Sequence, residues 1–332
     1  MGDRPAAVLM ELGVFLCTEE GHKTDPVTAN KIMRDRYVDD FCTGGTRQQV
    51  LDMVGYMDNN QQHNGSVPRI LSLGGFKIKA FLMSGSDDKE AMEKLGERVL
   101  GYPWDAPNDE FYLTCTEFVI PTNKRSTFTI SMDNLSELDD FVFTRRIVLS
   151  AVMGIYDPLG LLAAFTIILK MGLKRVLEVN RNTEWDSPLP SQQQTWWRAV
   201  LREAITASPV RFPRSIRPDR EVGELTLLAF CDGSLQAFAT VIYAMYIIQD
   251  IISVRLVASK ARITPLRGMT VPRSELSGLV LGSRLLKTVV NSIEVKPNRV
   301  ILMSDSRSVV LATTTGSLSF MKRLRPSRQS LG

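Results

Sequence analysis

The sequence holds only two histidines in 332 residues, His22 and His63, and that scarcity excludes several chemistries at once. Two cannot build a His-rich zinc site, and a Ser-His-Asp triad would need one of them beside a nucleophile elbow. No G-x-S-x-G elbow is present, and both histidines read as solvated. Cysteine is sparse as well: Cys17, Cys42, Cys115 and Cys231 lie far apart, with no C-x-x-C pair. They read as reduced, mostly packed thiols of an intracellular protein rather than a disulfide framework. Neither G-x-x-x-x-G-K-[ST] nor G-x-G-x-x-G occurs, so a glycine-rich phosphate cradle has no support.

Long apolar runs are also missing. The most apolar stretch, "LGLLAAFTIIL" at 159–169, is too short to span a bilayer. Near the N-terminus, "AAVLMELGVFLC" is interrupted by Glu11 and lacks the basic leader of a signal peptide. The expectation is a soluble protein with no membrane partner. The D-[ST]-G triplet that an aspartic protease uses to pair its two acids is absent too.

What is present is ordinary in bulk: 44% apolar and 23% charged residues, enough chain for two or three domains, and a net charge of +4. A mildly basic balance permits a nucleic-acid cleft without demanding one. The information lies in where the acids fall. In "DRYVDDFCTGG" (35–45), Asp39 and Asp40 sit side by side between strand-forming residues. Strands disfavour Asp, so the stretch is either an exposed turn or a hairpin tip that offers carboxylates to a divalent metal. Residues 31–43 read as strand, two-Asp turn, strand, with Ile32, Met33, Tyr37 and Val38 before the turn and Phe41 and Cys42 after it. Val50, Met53, Val54 and Met57 then follow the period of an amphipathic helix opened by Thr46 and ended by "NGSVP". "GGFKIKAFLMSG" (74–85) reads as a strand, and a short helix is expected at 88–95.

Residues 106–145 are irregular and strand-like. The stretch 144–178 is helical in composition but broken by Pro158 and Gly160 at "DPLG", and another helix is expected around Trp196 and Trp197. Pro213 and Pro218 mark a linker. The last third reads strand, strand, strand, helix, strand: "LTLLAF", "FATVIYAMYI", "IISVRLV", "VPRSELSGLVLGSRLLKTVV" and "RVILMSD", the last expected to be buried. Pro272 suits the first turn of that helix. Asp232 follows the first strand, Glu275 sits in the first helical turn, and Asp305 ends the fourth strand. In an α/β sheet these positions converge at one edge, where three carboxylates would bind hard cations such as Mg²⁺. A metal pair there would clamp both the attacking and the leaving oxygen of a phosphodiester.

With these residues in view, the chain resembles the polyprotein of Bel/Pao long-terminal-repeat retrotransposons. Y-V-D-D at 37–40 looks like the catalytic hairpin of reverse transcriptases. The stretches "GGFKIKAF", "VLGYPWD", "IYDPLGLL", "WDSPLP", "AFCDGS", "TVPRSEL" and "SDSRSVV" resemble that family in its order, over roughly residues 30 to 310. The resemblance implies an α/β (α+β) chain: a partial reverse-transcriptase palm at 1–105, a thumb and connection region at 106–220, and a truncated ribonuclease H-like domain with a mixed sheet at 221–332. It implies Asp39 and Asp40 as polymerase acids and metal ligands, with Tyr37 and Val38 flanking the primer terminus. In the ribonuclease H part it implies Asp232, Glu275 and Asp305 as catalytic metal ligands and Arg273 as a substrate contact.

The implied cofactor is Mg²⁺ or Mn²⁺. The implied partners are RNA template, DNA primer, RNA–DNA hybrid, deoxynucleoside triphosphates, and the protease and integrase of the intact element, in cytoplasmic particles. The region is also described as a retrotransposon peptidase, which the missing D-[ST]-G triplet argues against. The chain departs from the family in lacking an upstream palm aspartate, the fingers and a fourth ribonuclease acid. Ala80 and Phe81 also stand where the family has Lys-Trp. The expectation is therefore a fragment in which polymerase and ribonuclease sites are both incomplete, or a non-catalytic nucleic-acid-binding or interaction protein derived from a retrotransposon. A set of basic residues, Lys170, Lys174, Arg175, Arg262, Arg267 and Arg273, reads either as scattered solvated charge or as a set that tracks a nucleic-acid backbone.

Overall fold

The computed structural model describes residues 6–37, 40–58, 61–86, 98–113, 117–121, 127–179, 182–218, 223–248 and 251–307. The chain divides into two compact units, Met1–Tyr112 and Leu113–Gly332.

In the first unit, helices α1 (Ala6–His22) and α2 (Pro26–Asp35) pack with α3 (Arg47–Val54) and α4 (Ser66–Ser72). Their core holds Val14, Cys17, Ala29, Ile32, Met53, Val67, Ile70 and Leu71. Ile32 and Met33, expected on a strand, lie on α2 instead. Asp25 caps that helix by accepting the Thr28 N–H at 3.0 Å, Pro26 opens it, and Ile32 faces inward while Met33 faces solvent. The strands that follow are short: β1 (Arg36–Tyr37) and β2 (Asp40–Phe41), antiparallel, with Tyr37 opposite Asp40. Asp40 therefore sits on a strand arm rather than in the turn. Val38 and Asp39 lie outside the described residues.

Thr46 and Gln49 form a capping box at the start of α3, as the helix-start signal predicts. The helix ends sooner than its periodicity suggests. Gly55 adopts φ +92° and Met57 passes into β3 (Gly55–Asp58), which pairs with β4 (Gln61–Asn64). "NGSVP" lies well beyond the end of α3: its Asn64 ends β4, and Ser66 opens α4. Residues 74–85 form no regular strand, although Phe76, Ile78 and Phe81 still pack on the core. The helix expected at 88–95 lies outside the described residues. Strands β5 (Arg98–Val99), β6 (Tyr102–Asp105) and β7 (Glu110–Leu113) form an antiparallel ribbon.

The second unit has two cores. The hairpin of β8 (Glu117–Pro121) and β9 (Thr127–Ser131) packs with α5 (Arg145–Gly154), α6 (Ala163–Val179) and α7 (Ser191–Thr206) around Phe143, Val148, Leu169, Trp197 and Leu201. Here "WDSPLP" has a structural role. Trp185 lies 4.4 Å beneath the Arg145 guanidinium, Asp186 pairs with Arg146 at 2.7 and 3.0 Å, and the Leu189 N–H donates to the Phe143 carbonyl.

After β10 (Val210–Pro213) comes a four-stranded sheet of β11 (Glu224–Gly233), β12 (Ala237–Ile248), β13 (Ile251–Ile263) and β14 (Arg299–Ser304), with α8 (Val271–Ser292) before the last strand. Its order is β13-β12-β11-β14, antiparallel except for the parallel β11–β14 pair. The strand, strand, strand, helix, strand reading therefore matches. Helix α8 covers one face, closing a core of Leu225, Leu227, Ala229, Ile242, Ala244, Leu286 and Val289. β14 is less buried than its composition suggests: Val300 and Ile301 are 48% and 40% exposed.

The "DPLG" break joins the two cores. Both oxygens of Asp157 are used: Oδ1 accepts the Leu161 N–H at 2.8 Å and Oδ2 the Leu162 N–H at 2.9 Å. Gly160 has φ +73°, a conformation glycine adopts without strain. The turn then bonds to β13: the Ser259 N–H donates to the Leu159 carbonyl at 2.8 Å and the Ser259 hydroxyl to the Gly160 carbonyl. The Ser259 amide on the outer edge of β13 is thereby paired, which covers part of an edge strand that could otherwise pair elsewhere. Among the described residues, no helix is long and apolar enough to cross a membrane.

Candidate active site

The parallel register of β11 and β14 aligns the two aspartates of the second unit. Cys231 stands opposite Ser304, so Asp232 and Asp305 follow paired positions at the carboxyl ends of neighbouring strands. Asp232 is the penultimate residue of β11, and Asp305 comes just after β14; both are exposed. Asp232 Oδ1 accepts the Gly233 N–H at 2.6 Å.

Glu275 reaches the same edge because α8 comes unusually close to the sheet. Ser274, Gly278 and Gly282 recur every four residues and are all buried, so one stripe of the helix is almost without side chains. A Cβ on Gly278 would lie 2.7 Å from the Asp232 carbonyl oxygen, and one on Gly282 only 2.3 Å from Cys231 Sγ. On the sheet side, a Cβ on Gly233 would be 2.4 Å from the Glu275 nitrogen. Small residues on both surfaces bring the backbone of Glu275 against the residue after Asp232. Glu275 lies just past the first turn of α8, not within it. Its Oε2 accepts a hydrogen bond from the Ser306 hydroxyl at 2.5 Å. Sequence reasoning missed Ser306, and also the stripe at 274, 278 and 282, whose spacing of four was the signal that could have found it.

Beneath these acids, Cys231 is buried against Thr240, with Sγ 3.3 Å from the Thr240 hydroxyl. Burial pushes the thiol up, and the hydrogen bonds from Thr240 and the Gly282 amide offset this only in part. The side chain is buried against Gly282 and packs between the sheet and α8. Arg273 is exposed in the first turn of α8. Lys174 departs from the expected basic set: it is buried, and its ammonium donates to the Thr264 hydroxyl at 2.7 Å.

In the first unit, the arms of the β1–β2 hairpin present Tyr37, 63% exposed, and Asp40, also exposed. The hairpin is stapled at its base. Asp35 receives bidentate hydrogen bonds from Arg34 and one from the Thr43 hydroxyl at 2.6 Å, while its carbonyl accepts the Cys42 N–H at 3.0 Å. Burial raises the Asp35 carboxyl, but the Arg34 and Thr43 hydrogen bonds and the charges of Arg34 and Lys31 outweigh it and leave it below its ordinary value.

Among the described residues, no three His, Cys, Asp or Glu side chains are gathered closely enough to hold a metal ion. The acids of the second unit share an edge without forming a closed cluster. At this edge Asp232 uses Oδ1 and Glu275 uses Oε2 in the bonds given above, so the second oxygen of each can serve a further partner.

No curated protein shows significant similarity to the chain. Residues 144–306 match the family model of the Pao retrotransposon-like RNaseH-like domain. That stretch runs from the cap of α5 through the DPLG turn and the mixed sheet to Ser306, and the match supports a Bel/Pao retrotransposon polyprotein region there.

Proposed function

We propose that the second unit cuts the RNA strand of RNA–DNA hybrids at the edge that carries Asp232, Glu275 and Asp305. The observation that carries this reading is the pairing of Cys231 with Ser304, because an aspartate follows each of the two at the carboxyl ends of parallel strands. Three carboxylates from β11, α8 and the end of β14 are a hard-oxygen donor set suited to Mg²⁺ or Mn²⁺. When bound, such an ion supplies charge neutralisation at the phosphate and a more acidic water. The protein's own groups orient the site. α8 fixes Glu275 against Gly233, Ser306 aims the Glu275 carboxylate, and Arg273 offers a cation to the nucleic-acid backbone at the same end of the helix.

In the intact element this activity would accompany RNA-directed DNA synthesis from an RNA template and a DNA primer with deoxynucleoside triphosphates. The β1–β2 hairpin, with Tyr37, Val38, Asp39 and Asp40, would be the polymerase hairpin of that enzyme. A second reading, a non-catalytic nucleic-acid-binding protein, is favoured by one observation: the Asp232 and Glu275 carboxylates are already engaged, by the Gly233 amide and the Ser306 hydroxyl.

A labelled RNA–DNA hybrid incubated with Mg²⁺ separates the two. Cleavage of the RNA strand that falls by about a hundredfold or more in Asp232→Asn supports the hydrolase. Hybrid binding that weakens with salt, with no cleavage by the wild type, supports the binding protein. Cleavage equal in both proteins contradicts the assignment of Asp232.

A further inference from the structure

The buried lysine on α6 has a role that packing alone does not explain. Lys174 is only 9% exposed, and Glu178 stands 3.9 Å from its ammonium. Taking an ammonium out of water is expensive, and an unbranched apolar side chain such as methionine would fill similar volume without that penalty. What the lysine supplies is a donor aimed at Thr264, the residue after β13, which is 1% exposed.

Thr264 passes the constraint on. Its hydroxyl accepts from Lys174, so its single proton is left for the turn between β11 and β12, where the Leu235 carbonyl lies at 2.7 Å and the Gln236 carbonyl at 3.1 Å. The Thr264 N–H also donates to the Gln236 carbonyl at 2.8 Å. That turn follows directly on Asp232 and Gly233. Within it, the Ser234 hydroxyl donates to the Ala237 carbonyl at 3.0 Å and accepts from the amides of Gln236 and Ala237. On the other side, Gly233 rests against the backbone of Ser274 and Glu275. The acid-bearing hairpin is thus gripped by α8 on one side and by Lys174, through Thr264, on the other.

We infer that Lys174 is a positioning residue for Asp232: the Lys174–Thr264 relay locks the β11–β12 turn so that Asp232 is held in place beside Asp305. The inference rests on the proposed hydrolytic role of Asp232. It also gives the α5–α6 helical segment a part in the sheet's chemistry, which fits the span of the family match from 144 to 306.

The test uses the full chain and three variants, Lys174→Met, Thr264→Val and Thr264→Ser. It reads thermal unfolding, hydrogen–deuterium exchange of residues 233–237, and hybrid cleavage with Mg²⁺. The expected result is that Lys174→Met and Thr264→Val fold, exchange the turn about tenfold faster, and lose about tenfold in kcat with KM unchanged. Thr264→Ser, which keeps the hydroxyl, should restore both readouts. Unchanged turn exchange in Lys174→Met overturns the inference, and so does faster exchange with unchanged kcat. A Thr264→Ser protein that behaves like Thr264→Val also overturns it. If Thr264→Val fails to fold, Lys174→Met and Thr264→Ser still decide the matter. A wild type that cleaves no hybrid rejects the hydrolase reading instead, and the exchange readouts with their serine rescue then judge the relay on its own.

Discussion

Cys231 of β11 stands opposite Ser304 of β14 in parallel register, and the residue after each is an aspartate. Neither strand alone suggests chemistry, since an acid that ends a strand is usually a solvated turn residue. Parallel pairing makes the difference, because it carries both acids to the same end of the sheet. Helix α8 then brings Glu275 to that end through a stripe of small residues.

That stripe gives a stability prediction. At Gly278 the nearest obstacle to a methyl group is backbone, the Asp232 carbonyl at 2.7 Å, which cannot rotate away. Gly278→Ala should destabilise the protein by about 1–3 kcal/mol, the usual range for overpacking. Gly154→Ala, at the end of α5 with nothing within 4 Å, is the control and should be close to neutral. Urea unfolding of the two variants gives the comparison; equal midpoints would show that α8 does not sit as close as described.

The DPLG turn offers a sharper case. An alanine at Gly160 would be strained at φ +73° and would place its Cβ 1.9 Å from the Ser259 carbonyl oxygen. Both effects push the turn off β13, and about 2–4 kcal/mol of lost stability is expected. The freed strand edge should also promote association, visible as larger species in light scattering. A monodisperse variant of wild-type stability would contradict the role assigned to this turn.

Acid should loosen the base of the β1–β2 hairpin in a defined direction. The folded Asp35 carboxyl lies below its ordinary value of 3.8, so its contribution is present at neutral pH and is lost as pH falls through that folded value. Asp35→Asn should therefore be less stable than the wild type at pH 7, with the difference closing below about pH 4. Denaturant unfolding at several pH values measures the gap; a gap that is constant down to pH 2 would show that the carboxylate's charge plays no part.

The sheet was readable in advance because its residues obey local rules. Apolar runs bounded by turn residues mark β11 to β13, and Pro272 opens α8 where a helix tolerates proline. The same local reading failed for Ile32 and Met33, where Asp25 and Pro26 start a helix that the strand-like residues obscure. It failed again at 74–85, where Phe76, Ile78 and Phe81 pack without strand pairing. Of the site, the acids were legible as residue types at strand ends. Their supports were not. Lys174 and Thr264 are 90 residues apart, and Ser306 meets Glu275 only once α8 and β14 are assembled. Lys174 looked like one more surface charge because its burial depends on a strand far along the chain.

The proposal that a divalent cation binds at the edge carrying Asp232, Glu275 and Asp305 is tested most directly by thermal unfolding of the wild type and of Asp232→Asn, each with and without Mg²⁺. A ligand that binds only the folded state stabilises it by about 2.7 kcal/mol at a hundred times its dissociation constant. The account predicts an upward shift of the wild-type midpoint with Mg²⁺ and a much smaller shift for Asp232→Asn. No shift in the wild type, or equal shifts in the two proteins, would contradict it.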